Sequence, residues 1–319
     1  MSRGRGRDGA PRFDAAVPPG GYLWWYVDAL SDDGRHGLTL IAFVGSVFSP
    51  YYARARGRSG LADPENHCAL NVSLYGPARR WTMTERGRGQ VRRDVQQFQI
   101  GPSQMRWTGQ ALEIDIDERA VPLPQRVRGR VRLWPRALSP QLWPLDRAGR
   151  HGWGPIAPSA RVELSLDAPA LSWSGEGYLD SNEGEEPIDR PFLQWDWSRA
   201  HLSGGRSAVL YELEERDHSQ RLLALAFDRH GQAQPFTAPG PQRLAASPIW
   251  RMPRMIRGEA SATARVEQTL EDTPFYSRSL VQTRLLGENV TAFHESLSLP
   301  RLVHGATQWM LPWRMPRRA

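Results

Sequence analysis

The side chains best suited to chemistry lie in three short segments near the middle of the chain. These segments are rich in aromatic and ionisable residues, and they run from His151 to Pro155, from Gly175 to Gly184 and from Trp195 to Trp197. Because alternate side chains of a strand share a face, the spacing predicts three same-face pairs: His151 with Trp153, Tyr178 with Asp180, and Trp195 with Trp197. Such a set can do acid–base chemistry, whereas Tyr-x-Asp is also a common edge pair and Trp is commonly a core residue.

The sequence lacks the signatures of several other kinds of catalysis. It contains no Lys, no phosphate-cradling Gly-rich loop and no dinucleotide fingerprint. The eight His residues are dispersed, and none pairs with another at the spacing of metal ligands. Ser46 stands in Val44-Gly45-Ser46-Val47, which is not the nucleophile elbow of a hydrolase. Nucleotide, metal and covalent-serine chemistry are therefore not indicated.

Charge, cysteine content and apolar stretches argue against a nucleic-acid-binding, a disulfide-rich and a membrane-spanning protein. The net charge is +7, and all 41 basic residues are Arg, scattered along the chain. This pattern does not favour nucleic-acid binding, which needs a basic face interleaved with exposed aromatic residues, but it allows a weak attraction to anionic lipid. The single Cys68 excludes an internal disulfide framework and suits a reducing compartment. The longest apolar stretch, residues 38–47, is about half the length of a membrane span.

Period-two alternation dominates the chain after the first 20 residues and predicts an all-β fold. Frequent turns, 29 Gly and 26 Pro support short strands, arranged as barrels or sandwiches. The main predicted strands are Leu112–Ile116, Val127–Leu133, Val162–Leu166, Val209–Leu213, Leu222–Phe227, Ala264–Leu270, Ser277–Leu285 and Val290–Leu297. We expect a disordered Gly/Arg/Pro tail over residues 1–20, an N-terminal domain over 21–185 and a C-terminal domain over 186–319.

Several motifs resemble the carotenoid 1,2-hydratases (hydroxyneurosporene synthases) of phototrophic bacteria. The resemblance runs from about residue 20 to the carboxyl end and is carried by residues 43–52, 64–72, 74–76 and 81–86. His151-Gly152-Trp153-Gly154-Pro155 and the Gly-Tyr-x-Asp-x-Asn-x-Gly segment over 177–184 fit the same family. The resemblance implies two lipocalin-like β domains and hydration of acyclic carotenoids such as neurosporene and lycopene at C-1,2 without a cofactor. It also implies that His151, Trp153, Tyr178 and Asp180 are essential.

The implied reaction gives these residues hypothetical roles. Protonation of the terminal alkene at C-2 leaves a tertiary cation at C-1, which water captures. Asp180 is the candidate general acid, because burial disfavours the charged carboxylate. The aromatic faces of Trp153 and Tyr178 are candidates to stabilise the cation, and His151 is either the general base or the group that orients Asp180.

Four further residues outside this set have two open interpretations. We expect Glu65 and His67 either to contact the substrate or to belong to a plain turn, and Trp195 and Trp197 either to line the substrate channel or to be core. The expected location is cytoplasmic, at the periphery of the intracytoplasmic membrane, because the substrate resides in lipid. The sequence leaves open the preferred carotenoid, hydration of one or both ends, and the oligomeric state. A lipocalin-like carrier without catalysis, or a cyclase on the same scaffold, are the alternative functions.

Overall fold

The computed structural model describes residues 4–59 and 62–318, and strands predominate throughout. The elements of the first part of the chain are β1 Tyr22–Ser31, β2 Gly37–Val44, α1 Pro50–Ser59, β3 Cys68–Tyr75, β4 Arg80–Arg86, β5 Val91–Arg93, β6 Gln97–Ile100, β7 Ser103–Trp107, β8 Leu112–Arg119, β9 Arg126–Pro135, β10 Trp143–Pro144, β11 His151–Ala168 and β12 Ala170–Gly184. They continue with β13 Phe192–His201, β14 Ser207–Glu215, β15 Gln220–Phe227, β16 Ala233–Pro235, β17 Pro241–Leu244, β18 Arg254–Arg257, β19 Arg265–Asp272, β20 Tyr276–Leu285, β21 Glu288–Ser298, α2 Leu299–Val303, α3 Gly305–Arg314 and β22 Arg317–Arg318. Short 3₁₀ turns span Pro64–His67, Arg88–Gln90 and Ser203–Gly205. The expected all-β class is confirmed.

The chain divides into two compact units. The first comprises the described residues through Pro187 together with those from Trp309 onward, and the second comprises Ile188–Gln308. The expected boundary lay at residue 185, and residues from 309 onward were expected in the C-terminal domain. They belong instead to the first unit, because β22 pairs in parallel with β4 and so adds a strand to its sheet.

The first unit is built on one large sheet in which β1, β12 and β11 are neighbours. Its strand order is β22-β4-β3-β2-β1-β12-β11-β9-β8-β7-β6-β5, with β10 on β11. One face of each strand contributes to a single apolar core that draws on β1–β3, β6–β9, β11 and β12. On β1 this face carries Leu23, Trp25, Val27 and Ala29, so Tyr22, Trp24, Tyr26 and Asp28 point to the opposite face. The sheet therefore curls around one core and presents a second, different surface.

The second unit has a smaller sheet of its own. Its order is β16-β15-β14-β13-β21-β20-β19, and β17 pairs separately with β18. The core is made of small and branched side chains from β13, β14, β20 and β21, including Ala208, Leu210, Val281 and Ala292. These core side chains stand on one face of each strand, as the period of two along a strand requires.

The amino-terminal segment corrects one expectation. Residues 1–3 lie outside the described residues, but residues 4–20 are packed against the first unit, so the prediction of disorder is wrong for them. Arg5 is 3% exposed and Phe13 is fully buried. Phe13 lies edge-on to Trp25 with ring centroids 4.8 Å apart. Composition misled the prediction, because a few anchoring side chains suffice to order a Gly-rich segment.

Arg5 is the main anchor of this segment. Its guanidinium donates to the backbone carbonyls of Gln141 (2.7 Å), Pro155 (2.9 Å) and Gly154, and to Ser181 Oγ (2.8 Å). The pairing of β11 with β12 shifts register between Pro155 and Ala160, which leaves carbonyl groups without ladder partners. Burial lowers the Arg5 pKa to about 10, and the charge of Glu183 partly opposes this shift, so Arg5 remains cationic at neutral pH. Arg5 thus satisfies the backbone directly behind the strand that carries Trp153.

Among the described residues, no helix combines the length and the apolar character needed to cross a bilayer.

Replacing Arg5 tests whether this segment is integral to the fold. We expect Arg5→Ala to lower the free energy of unfolding by about 3 kcal/mol, because several buried carbonyls lose a charged donor. Arg12→Ala is the matched control, since Arg12 pairs with Asp14 at an exposed position where solvent screens the interaction, and it should leave stability close to that of the wild type. Urea unfolding followed by circular dichroism measures both. Equal stability of the two variants contradicts the anchoring role.

Candidate active site

The candidate site is built on the outer face of β1, β12 and β11, where the antiparallel register aligns side chains in rows. His151 lies opposite Gly184, Trp153 opposite Asn182, and Pro155 opposite Asp180. On the other side of β12, Tyr22, Trp24, Tyr26 and Asp28 lie opposite Gly184, Asn182, Asp180 and Tyr178 respectively. Directly opposite side chains on one face are in contact range. All four essential residues implied by the resemblance therefore share one face.

Asp180 is the hydrogen-bonding centre of this face. Trp153 Nε1 donates to Asp180 Oδ2 at 2.8 Å, and the Tyr178 hydroxyl donates to the same oxygen at 2.9 Å. Trp153 and Tyr178 are fully buried, and Asp180 is 2% exposed. A carboxyl group held this way has a fixed orientation and an apolar, aromatic environment. The structure thus brings together three of the four residues at hydrogen-bond distance.

His151 lies at the far end of the same face. It is opposite Gly184, four residues beyond Asp180 on β12, which corresponds to about 13 Å along the sheet. His151 Nδ1 lies 2.8 Å from the Tyr22 hydroxyl, and its backbone N–H donates to Asp146 Oδ1 at 2.9 Å. This separation favours a role at a distance from the carboxyl over direct orientation of Asp180.

Burial sets the protonation of His151. Desolvation lowers its pKa below the ordinary value of 6.5, although the nearby charges of Asp146 and Glu186 oppose the shift. His151 is therefore neutral at neutral pH, and a neutral imidazole can accept a proton.

Gly184 explains how Tyr22 and His151 meet across the intervening strand. A Cβ at this position would lie 2.3 Å from the Tyr22 ring and 2.7 Å from His151 Nδ1. Any side chain here would separate the two groups. Glycine is thus required by close approach across β12.

Sequence reasoning missed the contribution of β1. Asp28 is fully buried, lies opposite Tyr178, and accepts a hydrogen bond from the Tyr26 hydroxyl at 3.2 Å. The Tyr26 and Tyr178 rings meet edge to face with centroids 6.3 Å apart. In the next strand Thr39 lies opposite Asp28 and is fully buried, and its hydroxyl has no hydrogen-bond partner within the described part of the chain.

The signal that could have identified these residues was the alternation in β1. Tyr22, Trp24, Tyr26 and Asp28 occur at period two, which places them on one face. The residues between them are also apolar, so the segment looked like an ordinary buried strand.

Trp24 and Phe43 add an aromatic wall to the site. Trp24 stacks on Tyr22 with centroids 4.9 Å apart and lies 5.8 Å from the Phe43 ring. Both are at most 5% exposed. Their π faces provide an environment suited to an apolar substrate and to a cationic centre.

The two tryptophans predicted for a substrate channel lie on β13 of the second unit. Trp195 packs edge to face on Tyr211, with centroids 5.8 Å apart, and both Trp195 and Trp197 are 5% exposed. Asp196, between them, points to the opposite face, where burial raises its pKa to about 6. Substrate contact by Trp195 or Trp197 stays a prediction.

Glu65 and His67 lie in the 3₁₀ turn of the first unit and take part in ion pairs. Glu65 pairs with Arg88 at 2.7 Å and with Arg93 at 2.6 Å. His67 is buried, stacks on Tyr52 with centroids 4.8 Å apart, and lies 2.9 Å from Glu85 Oε1. These contacts favour the turn interpretation, and substrate contact by either residue stays a prediction.

In the described ranges, no group of three or more His, Cys, Asp or Glu side chains is arranged to hold a metal ion.

The close approach at Gly184 provides a test of this geometry. We expect Gly184→Ala to lower the free energy of unfolding by about 1–3 kcal/mol, because the added methyl group overlaps Tyr22 and His151. Gly89→Ala is the matched control, since nothing lies within 4 Å of a Cβ built there. Denaturant unfolding of both variants measures the difference. A Gly184→Ala protein as stable as the control contradicts the register described above.

Comparison with known proteins places this chain in a family. The family model described as "Carotenoid hydratase CrtC" matches residues 40–319. The acyclic carotenoid 1,2-hydratase of Rubrivivax gelatinosus is 58% identical over 98% of this chain and 77% of its own length. The corresponding protein of Thiocapsa roseopersicina is 56% identical over 96% of this chain and 76% of its own length.

Solved structures support the fold. The crystal structure of an AttH protein from Nitrosomonas europaea aligns with a TM-score of 0.58 at 16% identity, covering 87% of this chain and 92% of that one. The expected lipocalin-like all-β architecture is thereby confirmed. The family model and these two relatives show that the chain belongs to the CrtC carotenoid hydratase family.

Proposed function

We propose that this protein is an acyclic carotenoid 1,2-hydratase, a hydro-lyase that adds water to a terminal C1=C2 double bond. The observation that carries the proposal is the buried Asp180 carboxyl, fixed by Trp153 and Tyr178 in an aromatic environment. The close relatives named as hydratases of acyclic carotenoids support the substrate class. Lycopene and neurosporene are the proposed substrates, and the residues of the site act without a cofactor.

Asp180 is the proposed general acid. Its proton goes to C-2 of the alkene, and the electron pair of the double bond forms the new C–H bond, which leaves a tertiary cation at C-1. Because Oδ2 already accepts two hydrogen bonds, Oδ1 is the oxygen that can carry the transferable proton. The rings of Trp153 and Tyr178 face the same region and stabilise the cation by about 0.5–2 kcal/mol each.

Water then attacks C-1 and must lose a proton. His151 is the proposed acceptor, because it is neutral and lies on the same face. Because about 13 Å along β12 separates the two residues, the proton reaches His151 through water and not by direct contact with the attacking molecule. Return of the proton to Asp180 completes the cycle, so the reaction balances with water as the only co-reactant.

Asp28 is proposed to keep Asp180 protonated. The two residues are diagonal neighbours on adjacent strands, at about 7–8 Å, so their carboxylates repel each other when both are ionised. Two neighbouring carboxyl groups in one buried site do not both ionise readily, so the pair retains a proton that Asp180 can deliver. The same arrangement keeps the acid available near neutral pH.

We further propose that the protein works at a membrane surface inside the cell, because acyclic carotenoids dissolve in lipid. Trp195, Trp197, Glu65 and His67 stay proposed substrate contacts, tested by the effect of their Ala variants on KM.

The first experiment follows hydration directly. Purified protein is incubated with lycopene or neurosporene in lipid and H₂¹⁸O, and the products are analysed by mass spectrometry. We expect a labelled 1-hydroxy product from the wild type, and a rate loss of about 10²-fold or more in Asp180→Asn, since the acid is removed. Asp32→Asn is the matched control, because Asp32 lies in an exposed pair with Arg161. A carotenoid that binds and returns unchanged with folded wild-type protein indicates a carrier instead.

The role of Asp28 has a distinct pH signature. Activity requires protonated Asp180, so it falls as pH rises through the titration of that group. Removing the Asp28 charge favours ionisation of Asp180, so we expect Asp28→Asn to move this decline to lower pH while activity at acidic pH is retained. The half-exposed Asp115, on β8, provides Asp115→Asn as the control. An unshifted pH–rate profile, or an equal loss at every pH, contradicts the proposal.

A further inference from the structure

The segment that ends the described chain carries an unusual surface. Trp309 and Trp313 of α3 are 69% and 62% exposed, and their rings meet with centroids 4.3 Å apart. Trp is the side chain most often found where protein meets the lipid headgroup region, because its ring is apolar and its N–H is polar. Two adjacent exposed Trp rings are costly in water.

Leu123 belongs to the same region. It is 66% exposed at the tip of the loop between β8 and β9. The loop is tied to β4, because the Val121 N–H donates to the Trp81 carbonyl at 3.0 Å. The Arg314 guanidinium, next to Trp313, lies 4.2 Å from the centroid of the Trp81 ring. Trp81 therefore connects the loop with the end of α3.

A cationic cavity lies beside these apolar groups. It has a volume of about 150 Å³, and its charged lining consists of four guanidinium groups and two carboxylates, namely Arg86, Arg119, Arg126, Arg318, Asp117 and Glu118. Arg318 follows Trp313 by five residues, which spans at most about 17 Å. Arg119 and Arg126 flank the loop that carries Leu123. The cavity and the exposed apolar side chains thus form one continuous region of the first unit.

Buried and paired side chains fix the lining of the cavity. Arg86 is 2% exposed, and its Nη2 donates to Glu118 Oε2 at 3.1 Å. Its Nε and Nη1 are buried without a hydrogen-bond partner among the residues that the structure describes. Arg126 pairs with Asp117 at 2.8 Å. The four cations exceed the two anions, so the lining favours an anionic group with oxygen acceptors, such as a phosphate.

The residues after Glu295 are also positively charged overall, which agrees with binding of an anionic group. The sequence contains no acidic residue after Glu295, whereas Arg301, Arg314, Arg317 and Arg318 follow it. Basic residues next to apolar ones favour a bilayer that contains anionic lipid.

We propose that Trp309, Trp313 and Leu123 insert into the headgroup region of an anionic bilayer while the cavity lined by Arg86 and Arg318 binds a lipid phosphate. This docking surface deepens the proposed function, because it names the partner from which a lipid-soluble substrate is taken. The insertion needs no membrane-spanning segment. It places one specified part of the first unit against the membrane.

Vesicle flotation tests the apolar part of the surface. We expect the full chain to bind vesicles of phosphatidylcholine with phosphatidylglycerol more strongly than vesicles of phosphatidylcholine alone. Trp309→Ala/Trp313→Ala should lose about tenfold or more in binding, because two interfacial rings are removed. Ile249→Ala/Trp250→Ala is the matched control, since Ile249 and Trp250 are also exposed (74% and 41%) but lie in the second unit. Equal binding by the two double variants overturns the proposal.

Charge reversal tests the cationic part. Arg318→Glu should weaken binding to the anionic vesicles by about fivefold or more, because one basic residue near such a surface is worth about 1 kcal/mol. Arg243→Glu makes the same charge change at an exposed position of the second unit. Equal losses in the two variants show a general charge effect and overturn the assignment of the cavity. Inorganic phosphate is added separately, and binding of free phosphate without vesicle binding also overturns it.

Two further measurements keep this proposal separate from the others. Sedimentation equilibrium measures the mass of the wild type and of Trp309→Ala/Trp313→Ala in solution. If the wild type is a dimer, the double variant is a monomer, and the variant binds vesicles as well as the wild type does, then a second copy of the chain covers this surface and the membrane proposal is overturned. Hydration is assayed with the substrate in detergent and in vesicles. The Trp variant should keep its rate in detergent and lose it in vesicles. The wild type could bind vesicles in a way that depends on Trp309 and Trp313 and yet form no hydrated product. That result would support the docking surface and contradict the hydratase proposal.

Discussion

The antiparallel register of β1, β12 and β11 is the constraint on which the site depends. A slip of one residue in β12 would send Tyr178 and Asp180 into the apolar core and bring Leu179 and Ser181 to the outer face. The register is fixed from the other side by the core, since Leu179 is fully buried there. Packing of ordinary aliphatic side chains therefore determines where the carboxyl group lies, although none of them takes part in the chemistry.

Keeping a polar face buried requires that its backbone and side chains find partners. Arg5 does this behind the site, where it donates to carbonyls that the irregular pairing of β11 leaves free. In front, Trp153 and Tyr178 do the same for Asp180, and Tyr26 does it for Asp28. The aromatic residues thus have two roles. Their polar atoms hold the carboxyl groups in place, and their ring faces provide an apolar environment for the reaction.

The sequence was sufficient for the class of fold and for part of the site. Period-two alternation located strands such as β8 and β9, because each has one buried and one solvated face. It also placed Tyr178 with Asp180, since a spacing of two needs no knowledge of the partner strand. The place of Asp28 in the site could not be predicted from the sequence. Its proximity to Tyr178 depends on pairing between strands about 150 residues apart, which local patterns do not encode.

Composition was a poorer guide at the two ends of the chain. Arg5 sits in a Gly/Arg sequence typical of disorder, yet one buried guanidinium with five acceptors outweighs the entropy of ordering its neighbours. The residues after 308 follow the second unit in sequence and belong to the first in space. Neither result is visible in residue type, because both depend on partners supplied by distant strands.

The pairing of β22 with β4 has a consequence for how the protein is made. The Arg317 side chain donates to Glu85, which precedes it by 232 residues, so the first unit waits for the whole second unit to be synthesised before its sheet is finished. During that time β4 is an exposed edge with unpaired backbone groups, the kind of surface on which nascent chains join wrongly. Arg80, partly exposed at the start of β4, disfavours such pairing, since charged residues discourage edge-to-edge association. Because β22 is synthesised after the second unit, it covers the β4 edge of a unit whose other strands were made much earlier.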